Sequence, residues 1–88
     1  MPDFKRSTNP NKKYMVKTPK GRLIHFGARD MEHYKDTTGL GLFSHLNHLD
    51  KNRREAYHKR HKAIKKKDGS YAYLDKEQPA YYSLKYLW

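Results

Sequence analysis

Histidines at helical spacing are the residues of this chain whose types could most directly do chemistry. His45 and His48 are three residues apart, and so are His58 and His61. Two imidazoles at this spacing lie on one face of a helix, where both could bind one zinc ion. Zinc sites usually add a cysteine or a carboxylate, however, and the chain contains no cysteine. We therefore predict no metal site and no cofactor, with His61 half buried and His58 at the surface.

Catalysis would need a nucleophile and a base that meet in a cleft. Ser44, His45 and Asp50 have suitable types, but most small proteins contain such a set. Gly39 and Gly41 do not form a phosphate-binding loop, because no strand followed by a G-K-[ST] sequence surrounds them. A chain of 88 residues, of which 35% are hydrophobic, rarely encloses a substrate. We predict that the protein is not an enzyme and has no small-molecule substrate.

A dense run of basic residues is a stronger signal for binding. Nine lysines and arginines lie between Lys51 and Lys67, opposed only by Glu55, so this segment supplies +8 of the formal net charge of +11. Such a surface could bind the phosphates of a nucleic acid, or the carboxylates of a neighbouring protein, or it could simply be solvated. The predicted partner-binding residues are Arg53, Arg54, Lys59, Arg60 and Lys62.

Aromatic residues are concentrated in the last eighteen positions of the chain. Aromatic rings with a polar tip are enriched at protein interfaces, and they can also stack on unpaired bases. Stacking platforms are normally spaced along a sheet, so we favour a role in the core and at an interface. The aromatic residues assigned to that role are Tyr57, Tyr81, Tyr82, Tyr86 and Trp88.

The length and composition of the chain limit it to one small folded domain. Aromatic residues make up 14% of the chain, whereas disordered chains are usually poor in them. No run of about 18 apolar residues exists, so we predict no membrane span. The first residues also lack the apolar core of a signal peptide.

Two regular elements must position the basic and aromatic residues. Residues 13–27 alternate in polarity around Thr18-Pro19-Lys20-Gly21, a sequence typical of a tight turn, and they predict a β-hairpin. Residues 50–64 predict a helix with Asp50 as its N-cap. Tyr57, His61 and Ile64 follow helical spacing and define the face that should dock.

The rest of the chain is less regular. Residues 1–12 are rich in turn formers and predict a flexible basic arm. Residues 36–46 predict a structured loop whose leucines and Phe43 enter the core. Asp68-Gly69 predicts a turn. Pro79 favours the start of a short C-terminal helix, with an extended segment as the alternative.

Residues spread along the chain also form a single pattern. Its parts are His25-Phe26-Gly27, Lys35-Asp36, Asp50 with Arg53-Arg54, Tyr57 with Arg60-His61, and Tyr82-Ser83 with Tyr86-Leu87-Trp88. In this pattern, which covers residues 13–88, the chain resembles a family of small basic proteins of large nucleocytoplasmic DNA viruses. The middle segment KDTTGLGLFSHLNHLD is similar to the iridovirus and algal-virus branch, and more distant relatives occur in tailed phages.

The resemblance implies a virion component and carries over no catalytic residue. We expect a viral structural protein, a minor capsid or cement subunit that bridges larger capsid proteins through their acidic surfaces. Its expected locations are the virion and, during assembly, the host-cell cytoplasm. The alternative is a non-specific nucleic-acid-binding protein on the viral genome, with contacts to DNA.

The predicted fold is a single small α+β domain over residues 13–88. In it, the N-terminal β-hairpin packs on the basic central helix, and the Tyr/Trp-rich C-terminal segment completes the core.

Overall fold

The computed structural model describes residues 3–88 and folds them into one sheet and two α-helices. The strands are β1 (Lys5–Arg6), β2 (Lys12–Lys17) and β3 (Leu23–Ala28), and the helices are α1 (Lys51–His61) and α2 (Pro79–Tyr86). Short 3-10 helices occupy Ser44–Leu46 and Ala72–Leu74. The strands are antiparallel in the order β1-β2-β3, so the predicted α+β class is confirmed.

The hairpin of β2 and β3 is the predicted one. Tyr14 lies directly opposite Phe26 in the register. Residues paired in this way point to the same face of the sheet, and on that face both side chains are buried. At the turn, the amide of Gly21 donates to the carbonyl of Thr18 at 2.8 Å. Gly21 has a φ of 83°, a left-handed conformation that glycine adopts without a steric penalty.

Residues near the N-terminus are part of this fold, which differs from the flexible arm predicted over residues 1–12. Phe4 is only 5% exposed, and its ring packs against Phe26 at 5.6 Å and Tyr86 at 4.7 Å between centroids. The first two residues of the predicted arm lie outside the described residues.

Turn chemistry explains the difference. The amide of Lys12 donates to the carbonyl of Asn9 at 3.1 Å, and the amide of Ser7 donates to the carbonyl of Lys13 at 3.0 Å. The turn formers therefore reverse the chain and return β1 onto β2, rather than leaving it free.

Helix α2 is the element that covers the sheet, and it confirms the predicted C-terminal helix starting at Pro79. Its Tyr82 packs on Phe26 at 5.8 Å, and Leu87, just after the helix, is fully buried. The basic helix α1 contacts α2 instead of carrying the hairpin directly, and none of its residues is buried. Neither helix, nor any other within residues 3–88, is long and apolar enough to cross a membrane.

Gly27 allows the end of α2 to approach β3 closely. Its φ is 79°, in the left-handed region that favours glycine. A Cβ atom at this position would lie 2.8 Å from Cδ1 of Leu87 and 3.3 Å from Cβ of Lys13. The sheet and the chain after α2 therefore meet at a point where only glycine fits.

A half-buried carboxylate, that of Asp36, links the long loop after β3 to the sheet. Asp36 accepts hydrogen bonds from the Tyr14 hydroxyl, from the Thr38 hydroxyl at 2.6 Å and from the Thr38 amide at 3.0 Å. Burial acts to raise the pKa of Asp36, but the hydrogen bonds from Thr38 and Tyr14 outweigh it and hold the pKa below its ordinary value. Burial, and then the bond to Asp36, raise the pKa of Tyr14 to about 12.

This loop confirms one part of its prediction and corrects another. Phe43 is buried against Tyr14, with ring centroids 5.4 Å apart. Leu40 and Leu42 are each 45% exposed, so the prediction that the leucines enter the core is wrong for these two, whereas Leu46 is partly buried and packs against the core. The amide of Leu42 bonds to the Tyr14 hydroxyl at 3.1 Å, which holds the backbone here close to the sheet while the leucine side chains remain accessible.

Helix α1 begins as predicted and ends early. The side chain of Asp50 accepts from the amides of Asn52 and Arg53 at 2.9 and 3.2 Å, which confirms it as the N-cap. The helix stops at His61, so Ile64 lies beyond it and is exposed, contrary to the predicted docking face. The predicted turn at Gly69 is present, with its amide bonded to the chain three residues earlier at 3.0 Å.

We predict that Gly27→Ala lowers the free energy of unfolding by about 2–4 kcal/mol, because it adds left-handed strain and a clash with Leu87. The matched control is Gly21→Ala, which has a similar φ but no atom within 4 Å of the added Cβ. Its expected loss is about 1 kcal/mol. Urea denaturation followed by circular dichroism measures both, and equal losses would contradict the close approach at Gly27.

Candidate partner-binding surface

Helix α1 presents the predicted basic residues on the outside of the domain. None of its residues is buried, because its sequence lacks the apolar stripe that would seat a helix in a core. All five predicted partner-binding residues are exposed: Arg53, Arg54, Lys59, Arg60 and Lys62.

A column of three rings attaches α1 to the rest of the fold. The rings of Tyr57 and Trp88 stack with centroids 4.0 Å apart and planes 5° apart, and His61 stacks on Tyr57 at 3.8 Å and 19°. Burial lowers the pKa of His61, with Arg60 acting in the same direction, so its imidazole is held neutral in the column. Tyr57 and His61 thus dock the helix as predicted.

Two of the five cations have partners within the fold, although no sequence pattern predicted a folding role for either. Arg53 pairs with Glu32 at 3.0 Å, but both side chains are about half exposed, so this contact contributes less than about 1 kcal/mol. The Nε of Arg54 donates to the carbonyl of Trp88 at 2.6 Å, and its guanidinium lies over the ring of Tyr34 at 4.9 Å. Arg54 therefore helps to hold α1 against the chain after α2.

The remaining three cations are those that folding uses least. Neither Lys59 nor Arg60 forms an ion pair with any part of the chain that the structure describes. Lys62 lies over the ring of Tyr73 at 5.7 Å, a weak exposed contact. These residues are free to contact a larger anionic molecule.

The C-terminal aromatic residues belong mainly to the core. Tyr82 is buried, and its ring packs edge-on against Tyr81 at 4.9 Å. Tyr81, Tyr86 and Trp88 are half buried and pack against the core cluster. Of the five aromatic residues singled out in the sequence, Tyr57 belongs to α1 and Trp88 stacks on it. These two can take part in an interface at the basic helix.

A groove runs between the end of β3 and α1, and sequence reasoning did not anticipate it. Its volume is about 840 Å³. Its cationic wall residues are Lys12, Arg53, Lys59 and Arg60, and its apolar residues include Met31, Ala56, Ala80, Leu87 and Trp88. Lys12 and Met31 are distant from α1 in the sequence, so no local pattern could have placed them opposite it.

Lys13 also lines the groove, although its side chain is only 1% exposed to solvent. Its Nζ donates to the carbonyl of Met31 at 2.5 Å. Burial lowers the pKa of Lys13 to about 8, although the charge of Asp36 acts in the opposite direction. Burial and then the Lys13 charge also lower the pKa of His33, whose Nε2 donates to Oδ1 of Asn47 at 2.6 Å.

The four histidines at helical spacing do not converge. His61 belongs to the ring column, and Nδ1 of His48 accepts from the amide of Asp50 at 2.9 Å. His45 lies at the surface beside Phe43. Among residues 3–88, no three histidine, cysteine or acidic side chains lie close enough together to hold a metal ion.

Comparison with known proteins assigns no function. Residues 3–38 match the model of a family of unknown function (DUF5754). The match spans the sheet and the loop as far as the Asp36 hydrogen bonds, and it stops before α1. No curated protein and no solved structure matches the chain.

We predict that the buried ammonium of Lys13 makes stability depend on pH between about 8 and 10. Because its folded pKa is lowered, the unfolded chain binds more protons in this range, and the free energy of unfolding rises with pH. Relative to Lys13→Met, the wild-type value should increase by about 2 kcal/mol between pH 7.5 and 9.5.

Chemical denaturation at several pH values measures this difference. The raised pKa of Tyr14 weakens the fold only above about pH 10, and it does so in both proteins. Lys12→Met serves as the control, because Lys12 is only partly buried. Parallel pH curves for wild type and Lys13→Met would contradict the buried charge.

Proposed function

We propose that this protein is a non-enzymatic structural component of a virus particle, a minor capsid or cement subunit that bridges larger capsid proteins. The observation that carries the proposal is the exposed helix α1, which presents Lys59, Arg60 and Lys62 away from the core. The resemblance to small basic proteins of large nucleocytoplasmic DNA viruses supplies the setting. The protein then acts in the virion and passes through the host-cell cytoplasm during assembly.

The charge balance supports an acidic protein partner. The formal net charge is +11, and within residues 3–88 only Arg53 and Lys66 form ion pairs with acidic side chains. The excess positive charge is therefore not neutralised inside the fold. Complementary charge on a partner speeds association and selects the docking orientation, and it makes the contact sensitive to salt.

The placement of two of the perturbed groups, Asp36 and Tyr14, supports a non-enzymatic role. Asp36 and Tyr14 have shifted pKa values, but they are hydrogen-bonded to each other and to the loop beside them. A catalytic acid or base must reach a substrate proton. These groups instead hold the loop on the sheet.

A second candidate function is the binding of a viral genome through its phosphates. The favouring observation is that the basic residues continue past α1, at Lys65 and Lys67, where the nearby carboxylates of Asp68 and Asp75 are engaged by Lys66. Phosphate contacts of this kind are independent of sequence and weaken steeply with salt.

Particle fractionation separates the two candidates. Virus particles are opened, the released genome is digested with nuclease, and the shells are sedimented at physiological salt. A structural subunit stays in the shell fraction. Release of the protein together with the genome would favour nucleic-acid binding and reject the bridging role.

We predict that the double variant Lys59→Glu/Arg60→Glu loses at least about tenfold in affinity for isolated shells, because it reverses two unpaired cations of the docking face. The matched control is Lys17→Glu/Lys20→Glu, which changes the net charge equally at exposed positions of the hairpin. Co-sedimentation measures both. Equal losses would mean that overall charge, and not the α1 surface, determines binding.

A further inference from the structure

The groove between β3 and α1 has the dimensions and the chemistry of a receptor for part of a partner molecule. Its volume of about 840 Å³ lies within the range of sites that bury most of a ligand. It is partly open to solvent, so a chain segment can enter it. We infer that it receives a short acidic peptide segment of the partner protein, which seats one large apolar side chain on the groove floor. This inference rests on the proposed function.

The walls of the groove specify the charge of the occupant. Lys12 lies on the β-sheet side, and Lys59 and Arg60 lie on the α1 side. The only acidic residue of the lining is Glu32, which is engaged by Arg53 at 3.0 Å. Facing walls therefore carry unneutralised positive charge, which attracts acidic side chains and repels a basic segment.

The floor of the groove specifies an apolar anchor. Leu87 and Trp88 form part of it, with the small side chains of Ala56 and Ala80 leaving space above. Met31 at the edge is 62% exposed, so its large flexible apolar side chain is accessible to an occupant of the groove. Interfaces commonly surround such an apolar centre with a charged rim, and methionine adapts readily to the shape of an anchor.

The ring column argues for a peptide over single-stranded nucleic acid. A base-stacking site needs an open aromatic face. Both faces of Tyr57 are already covered, one by Trp88 at 4.0 Å and the other by His61 at 3.8 Å. The ring of His48 also lies 5.1 Å from that of Trp88. The aromatic residues therefore build the floor of the groove and do not offer a series of stacking surfaces.

Trp88 provides a direct signal, because it is the single tryptophan of the chain and lines the groove. The probe is a short synthetic peptide of aspartate and glutamate residues around a central leucine. It should change the Trp88 fluorescence saturably, and the affinity should fall as salt is raised. Replacing the leucine by serine, or the acidic residues by their amides, should weaken binding by at least about tenfold.

A steric variant tests the location. Ala56→Phe fills the groove from the exposed face of α1. It should lower the affinity for the peptide by at least about tenfold without changing the midpoint of urea denaturation. Ala63→Phe is the matched control, since Ala63 is exposed and lies outside the groove lining. It should leave the affinity unchanged. Equal effects of the two variants, or no saturable response to the peptide, would overturn the inference.

Two further outcomes separate this inference from the proposed function. If oligothymidylate binds more tightly than the peptide and Ala56→Phe abolishes that binding, the groove is a nucleic-acid site and the inference is rejected. Ala56→Phe is also tested for co-sedimentation with shells. If it binds shells as well as wild type does, the groove inference fails and the bridging role stands. If wild type binds the peptide in the groove but never the shells, the bridging role fails and the groove inference stands.

Discussion

The stack of Trp88 on Tyr57 and of Tyr57 on His61 is the contact on which the position of α1 depends. No residue of the helix is buried, so packing of this column replaces the apolar face that usually seats a helix. Aromatic pairs of this kind contribute about 0.5–1.5 kcal/mol beyond the area they bury. Arg54 adds a hydrogen bond to the carbonyl of Trp88. The basic surface and the groove beside it exist only while this column holds α1 at its distance from the sheet.

The other half of the molecule is held together differently. Tyr14, Phe26 and Tyr82 form a buried aromatic core between the hairpin and α2, and Asp36 fastens the following loop to Tyr14. Hydrogen bonds to a carboxylate are stronger than those between neutral groups, and removing one partner leaves the other unsatisfied. The sheet, α2 and the loop thus form a well-packed core, and α1, which has no buried residue, lies at its edge. The groove lies where the two meet, which is a common place for a binding site.

Local sequence signals were sufficient where structure depends on neighbouring residues. The turn at Gly21, the N-cap at Asp50 and the start of α2 at Pro79 each follow from the chemistry of a few consecutive positions. They failed where a residue's burial depends on a contact with a distant part of the chain. Phe4 joins the core because β1 pairs with β2, and the burial of Lys13 beneath Met31 depends on a contact across 18 positions. The groove combines residues from both ends of the chain, so no window of sequence contains it.

The distribution of charge connects the fold to its surface. Burial of the Lys13 ammonium lowers the stability of the fold, as its lowered pKa indicates. The carbonyl of Met31 and the charge of Asp36 partly compensate this loss. The other cations of the groove and α1 stay in solvent, where they repel one another and favour expansion of the chain. An anionic partner on α1, as proposed above, would reduce this repulsion. A ligand that binds the folded chain in preference to the unfolded one stabilises the fold, so occupation of the groove would also stabilise the ring column beside it.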